Sequence, residues 1–233
     1  MNEKLSIPKH IAIIPDGNRR WAKKHNFPSG EGHKVASEKT LPLLIRTYQK
    51  LGVSYITFWA LSCDNLIKRD KKECKHLLSL LSFFLKKKLD EFNKNGVKLL
   101  CIGNISVFQE DLQKMIQNAQ EKTKDNNKIT LIICLNYGGH DEILNACKSI
   151  ISKKLSSDEI NEELFEKHLY TKDIPNPDLI IRTGGETRTS GFLLWQSNYA
   201  EYYFSKKLFP DFSEEDCIES LNVFSERKRR FGA

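Results

Sequence analysis

The stretch Ile129-Thr130-Leu131-Ile132-Ile133-Cys134-Leu135 holds seven consecutive residues without a charge, most of them β-branched or aliphatic. A run this short and this apolar reads as a strand covered on both sides, the pattern of a parallel sheet rather than a half-exposed antiparallel one. Working outward, 10–15, 55–61 (YITFWAL), 97–103 and 179–182 read as further strands, with 192–195 as a short additional one. Helical spacing predicts helices over 37–51, 71–95, 106–124, 141–155, 157–169 and 213–227, and Ser156-x-x-Glu159 has the spacing of a capping box. Strands alternating with helices imply βαβ units. The expectation is a single α/β domain over residues 1–233, with a mostly parallel central sheet flanked by helices.

Polar motifs follow four of these strands: Asp16-Gly17-Asn18, Ser62-Cys63-Asp64-Asn65, Asn136-Tyr137-Gly138-Gly139 and Thr183-Gly184-Gly185-Glu186. At the carboxyl ends of parallel strands they meet along one sheet edge, where open α/β sheets place ligands. Arginine usage points the same way. The chain has nine arginines against 28 lysines, and seven of the nine fall in the blocks 15–21, 182–188 and 227–232. Arginine grips phosphate bidentately where lysine offers a point charge, so arginine grouped beside glycine points to phosphate binding. Asp16 is placed to hold Mg²⁺ on such an anion. In 182–190, Arg182, Arg188 and Ser190 suit a diphosphate, with Glu201 downstream as a carboxylate for its Mg²⁺. The P-loop and dinucleotide fingerprints are both absent.

The bulk numbers agree. Net charge is +7 with pI about 9.0, which favours anionic partners. The lysines are dispersed, which argues against a nucleic-acid-binding domain. The six cysteines form no C-x-x-C pair and no zinc spacing. With no signal-peptide pattern, they indicate a reducing, cytoplasmic setting. No stretch is long and apolar enough to span a membrane. Lys86-Lys87-Lys88 reads either as a solvated helix face or as a contact with anionic lipid. Leu77, Leu78, Leu81, Phe84, Leu85 and Phe92 form an apolar stripe on the same helix.

Taken together, HIAIIPDGNRRWAKK (10–24), EGHK (31–34), FWALSCDN (58–65), LNYGGHDEI (135–143), DLIIRTGGETRTSGFLLWQSNYAEYYF (178–204) and RKRRFG (227–232) resemble the cis-prenyltransferases, the undecaprenyl and dehydrodolichyl diphosphate synthases. The resemblance covers nearly the whole chain in order. It implies Mg²⁺-dependent condensation of isopentenyl diphosphate onto an allylic diphosphate such as farnesyl diphosphate, giving a long-chain polyprenyl diphosphate. Asp16 would coordinate Mg²⁺ and the allylic diphosphate, which Gly17, Asn18, Arg19, Arg20 and Trp21 would cradle. Arg182, Arg188 and Ser190 would hold isopentenyl diphosphate, with Glu201 helping to place its Mg²⁺. Asn18, His33, Ser62 and Asn65 match positions linked to proton removal or diphosphate contact. Arg230 and Gly232 would reach across a homodimer interface. The apolar stripe would wall a tunnel, alongside Trp21 and Trp59, with Ile129 at its closed end. An insoluble polyprenyl product implies peripheral membrane contact.

Several residues depart from the family pattern: Ser29 and Lys68 where arginine is common, Leu66 for tryptophan, His140 for arginine, and Arg19 for glycine. The rival reading is a partner-dependent or non-catalytic subunit. Such subunits lose the Asp-Gly-Asn site, which is present here.

Overall fold

The computed structural model describes residues 6–227. Six strands form one sheet in the order β3-β4-β2-β1-β5-β6: β1 (His10–Ile14), β2 (Tyr55–Ser62), β3 (Val97–Ile102), β4 (Ile129–Tyr137), β5 (Leu179–Arg182) and β6 (Glu201–Phe204). Every neighbouring pair is parallel. All nine residues of β4 are buried, as its uninterrupted apolar run requires. Alternation along β1 divides the interior: Ile11 and Ile13 join one core, Ala12 and Ile14 the other.

The helices are α1 (Asn18–Lys24), α2 (Ser29–Val35), α3 (Leu41–Lys50), α4 (Cys63–Lys68), α5 (Lys71–Lys94), α6 (Glu110–Thr123), α7 (Gly139–Ser152), α8 (Glu162–Glu166) and α9 (Glu214–Glu226). Residues of α3, α5, α6 and α9 pack in the larger core. On the other face Tyr137, Phe192 and Leu193 close the smaller one. Asp70 starts α5 as its N-cap, its carboxylate accepting the Lys72 N–H at 2.7 Å.

Three local expectations are corrected. The helix read over 157–169 is a 3₁₀ turn (Ser157–Glu159) followed by the separate short α8. The Asn161 side chain accepts the Leu164 N–H at 2.9 Å and restarts the chain as a new N-cap. The Ser156–Glu159 capping box is present, with Ser156 N–H donating to the Glu159 carboxylate at 2.8 Å, but it caps the 3₁₀ turn. The strand read over 192–195 is a series of turns. Leu193 has φ 47°, which no strand accepts, and Phe192 is buried by stacking on Trp59 at 4.7 Å rather than by pairing. The helix expected from 37 follows directly on α2 through one π-helical turn, Ala36–Thr40. Strand β6 and helices α1, α2 and α4 were not among the expected elements.

One packing constraint ties this frame to its loops. A Cβ added to Gly32 of α2 would lie 2.0 Å from the backbone oxygen of Asn18 in α1. Both sides of that contact are backbone, so the helices would have to separate. Gly32→Ala is expected to lower stability by about 2–3 kcal/mol, read as a fall in the urea midpoint with an unchanged slope.

Candidate active site

A cavity of about 1030 Å³ opens at the carboxyl ends of β1, β2, β4 and β5. All four motif loops contribute to its wall: Asp16 to Arg20, Ser62 to Asn65, Gly138 to Asp141, and Glu186 with Arg188, Ser190 and Gly191 just beyond it. The parallel topology alone accounts for that convergence.

At the head of the cavity, Asp16 and Arg182 face each other from the ends of adjacent strands. Arg182 is 5% exposed. It donates from Nη2 to Asp16 Oδ2 at 2.9 Å, and from Nη1 to the Arg188 carbonyl at 2.5 Å and Ser190 Oγ at 2.8 Å. Arg20 reaches Asp16 Oδ1 at 3.2 Å. Half-burial would raise the Asp16 pKa, but the hydrogen bond and charge of Arg182, followed by Arg20, outweigh it and hold the carboxyl below its usual range. Asp16 is therefore ionised at neutral pH. The loop after β5 is fitted against this pair. Gly184 has φ 86°, and a Cβ there would lie 2.6 Å from Arg20 Nη2 and 3.1 Å from the Asp16 backbone. Thr183 Oγ1 donates to the Asp16 carbonyl at 2.8 Å.

Asn18 donates to the Pro15 carbonyl at 3.0 Å, while its buried Oδ1 has no partner among the described residues. Ser62 Oγ accepts the Asn65 N–H at 3.0 Å, so the hydroxyl caps α4 while lining the cavity beside Asn65. His33 is largely covered on the α2 wall, with its side chain 15% exposed. Burial first, and then the charges of Arg69, Arg19 and His76, push its pKa down to about 4, so the ring is neutral at physiological pH. Arg19 is mostly exposed, with Glu73 3.9 Å away. Arg188 lines the rim and pairs with Glu186 at 2.5 Å.

Below this polar head the wall becomes apolar: Ala36, Leu41, Phe58, Leu77, Leu78, Leu81, Phe84, Ile133 and Leu135. Trp59 belongs to the wall. Ile129 does not: it is the first residue of β4, buried in the core, and Ile133 and Leu135 take the wall positions of that strand.

Several expected residues stand elsewhere. Trp21 is not a cavity residue. Its indole N–H donates to Asp211 at 2.6 Å, and its ring packs on His25 and Phe27. Glu201 is the first residue of β6, paired in register with Leu179, whereas Arg182 pairs with Phe204. It therefore sits at the opposite sheet edge from Asp16, accepting from Arg227 at 2.8 Å. Within one chain the two carboxylates do not come together. Arg230 and Gly232 lie outside the described residues. Among the described residues no cluster of three or more His, Cys, Asp or Glu forms a metal cage. One ionised carboxylate in an arginine-rich pocket does fit Mg²⁺, which is commonly held by one or two carboxylates together with substrate phosphates.

The sequence reading missed Arg69 and Glu73. It took Lys68 as the substitute for a family arginine, yet Lys68 is exposed and paired with Asp64 at 2.7 Å. Arg69 is the residue that turns inward, donating to Glu73 at 3.0 Å while lining the cavity. Their i,i+4 spacing was visible in the sequence. Ser29 is exposed and away from the cavity, and His140 lines it.

Comparison with known proteins agrees with this geometry. A family model described as "Putative undecaprenyl diphosphate synthase" matches residues 14–232. The isoprenyl transferase of Clostridium perfringens is 46% identical over 230 residues, covering 97% of this chain and 90% of that one. That of Rickettsia bellii is 46% identical over 224 residues, covering 96% and 97%. Among solved structures, lavandulyl diphosphate synthase from Lavandula x intermedia, in complex with dimethylallyl diphosphate, superposes with TM-score 0.92 at 36% identity over 97% of this chain and 98% of that one. A probable undecaprenyl diphosphate synthase from Campylobacter jejuni gives 0.82 at 34% identity, with both chains fully covered.

The site's histidine has a consequence for stability. The largely covered His33 and the buried strand residue His10 both have pKa values lowered from 6.5 to about 4. Between those values the unfolded chain takes up protons that the folded chain refuses. Stability is therefore full above about pH 6.5 and falls as the pH drops toward 4, by up to about 3 kcal/mol for each group. Urea unfolding followed across that window is expected to show the fall. His33→Asn should remove part of the slope and leave the His10 part.

Proposed function

The chain belongs to the cis-prenyltransferase family, and we propose that it condenses isopentenyl diphosphate onto an allylic diphosphate, with farnesyl diphosphate as the primer, to build a long-chain polyprenyl diphosphate. The observation that carries this reading is the Asp16–Arg182 pair set at the head of a cavity whose remaining wall is apolar. A diphosphate with a hydrocarbon tail has the same division of polarity.

In this proposal the allylic diphosphate lies along Asp16–Arg20, with its tail directed between Phe58, Leu77, Leu81 and Phe84. Isopentenyl diphosphate lies against Arg182, Arg188 and Ser190. The allylic C–O bond breaks, its diphosphate leaves, and the allylic carbon bonds to the isopentenyl double bond. A proton is then lost to close the new alkene. Arg19, Arg20 and Arg69 stabilise the departing negative charge, while the apolar wall keeps water from the developing cation. Mg²⁺ held by Asp16 would supply additional positive charge at the leaving diphosphate. Neutral His33, the unpartnered Asn18 Oδ1 and Ser62 Oγ stand at the site as candidate proton acceptors or relays.

Asp16, Asn18, Arg182 and Arg188 all meet in one cavity of one chain, which favours a catalytic chain over a non-catalytic or partner-dependent subunit. The proposal includes a homodimer. Leu144 and Ile151 on α7 are 58% and 75% exposed, an apolar face suited to a second copy. It also includes a cytoplasmic setting with peripheral membrane contact. No helix among the described residues is long and apolar enough to cross a membrane.

The test is incubation with Mg²⁺, labelled isopentenyl diphosphate and, in turn, dimethylallyl, geranyl, farnesyl or geranylgeranyl diphosphate, followed by resolution of the chain lengths. A ladder primed by farnesyl diphosphate is expected. Asp16→Ala should lower kcat by about 10³-fold, the loss typical of removing a main electrostatic group from a transition state. No product with any primer from folded protein would overturn the reading.

A further inference from the structure

Helix α5 has two faces of opposite character. Leu77, Leu81 and Phe84 turn inward to the cavity. Positions 72, 75, 79, 83, 86 and 87 recur at steps of three and four, so they share one outward stripe, and all six are exposed. Those residues are Lys72, Lys75, Ser79, Phe83, Lys86 and Lys87. At 1.5 Å per residue the stripe runs about 22 Å.

Several exposed lysines elsewhere are neutralised by carboxylates at helical spacing: Lys114 with Glu110, Lys124 with Glu121, and Lys167 with Glu163. From Cys74 to Leu89 the sequence contains no acidic residue. Among the described residues Lys72, Lys75, Lys86 and Lys87 form no ion pair, and Lys87 Nζ instead lies 5.1 Å from the Phe83 ring centroid. Apolar side chains accompany the lysines. Phe83 is 41% exposed, and Ile67 on the adjoining α4 is 79% exposed. A solvated helix face alternates signs along its length. An unneutralised lysine stripe carrying exposed aromatic and aliphatic groups is the composition of a surface that docks on anionic lipid.

We propose that the outer face of α5 is a membrane-docking surface: its lysines meet anionic headgroups, Phe83 and Ile67 enter the interface, and the cavity lies directly behind the same helix. This rests on the elongation reading for its purpose, since the apolar product must pass from the cavity into lipid. The charge pattern itself is independent of that reading.

The experiment is co-flotation of the full chain with vesicles of phosphatidylcholine alone, or with about a third phosphatidylglycerol, at low and high salt. Three variants accompany the unmodified chain: the triple Lys75→Glu/Lys86→Glu/Lys87→Glu, Phe83→Ser, and a control triple, Lys50→Glu/Lys128→Glu/Lys172→Glu. The control changes net charge equally at exposed lysines away from α5 and α7. The unmodified chain is expected to float with anionic vesicles only and to be released by high salt. The α5 triple should bind at least about tenfold more weakly, Phe83→Ser severalfold more weakly, and the control within about twofold of the unmodified chain. No flotation, equal binding to neutral vesicles, or equal losses for both triples would overturn the proposal. Turnover in detergent is measured alongside. An active chain that does not float overturns the docking surface alone; a chain that floats without turnover overturns the elongation reading alone.

Discussion

The site depends on one buried guanidinium. Arg182 ends the short strand β5 almost without solvent, and a charge in that position is tolerated only if its donors are engaged. Asp16 takes one side of the fork; the Arg188 carbonyl and Ser190 hydroxyl take the other. The same bonds that satisfy Arg182 therefore fix the end of β1, the loop after β5 and the φ of 54° at Ser190. The site's shape follows from meeting the needs of one charge. Its Nε nevertheless remains without a partner among the described residues, as do Asn18 Oδ1 and His33 Nε2. With the Nε of Arg69, unpaired polar atoms stand at four points around one cavity, the mark of a surface built to be completed by something polar.

The acids of the site keep its arginines in place. Glu73 holds Arg69 and stands near Arg19, Glu186 holds Arg188, and Asp16 holds Arg20 and Arg182. The cavity is lined by five arginines and four carboxylates, Asp64 and Asp141 among them, and Glu73 adds a fifth carboxylate beside Arg69. The pair at the α4–α5 joint also links the polar head to the apolar wall, because Glu73 lies one helical turn before Leu77 on α5.

The parallel sheet and the meeting of four loops at one edge were legible because they depend on period and order alone: uninterrupted apolar runs, helical spacings between them, and turn-forming motifs after each strand. What was not legible depended on tertiary contact. Phe192-Leu193-Leu194-Trp195 has the composition of a strand, and Phe192 and Leu193 are buried as strand residues would be. The partner is Trp59 rather than a neighbouring backbone. Strand β6 was hidden because EYYF is short and half-exposed at a sheet edge, so it lacks the apolar run that revealed β4. That Asp16, Asn18 and Arg182 line one cavity was readable from motif and position. Trp21 and Glu201 were placed by motif neighbourhood, and helical phase and strand direction carry them elsewhere. Arg69 was overlooked because Lys68 stood where motif spacing, without the geometry of the α4–α5 joint, put the positive charge.

The fit of Gly184 against Arg20 and Asp16 bears on how such a protein can vary. Surface loops ordinarily accept insertions and deletions because little else depends on their length. Here the loops after β1 and β5 are interlocked, each forming part of the other's mould. A change of length in one would displace the backbone on which the other rests. These two segments, far apart in the chain, are expected to drift together in evolution or not at all, leaving length variation to connections such as 153–161 that touch neither.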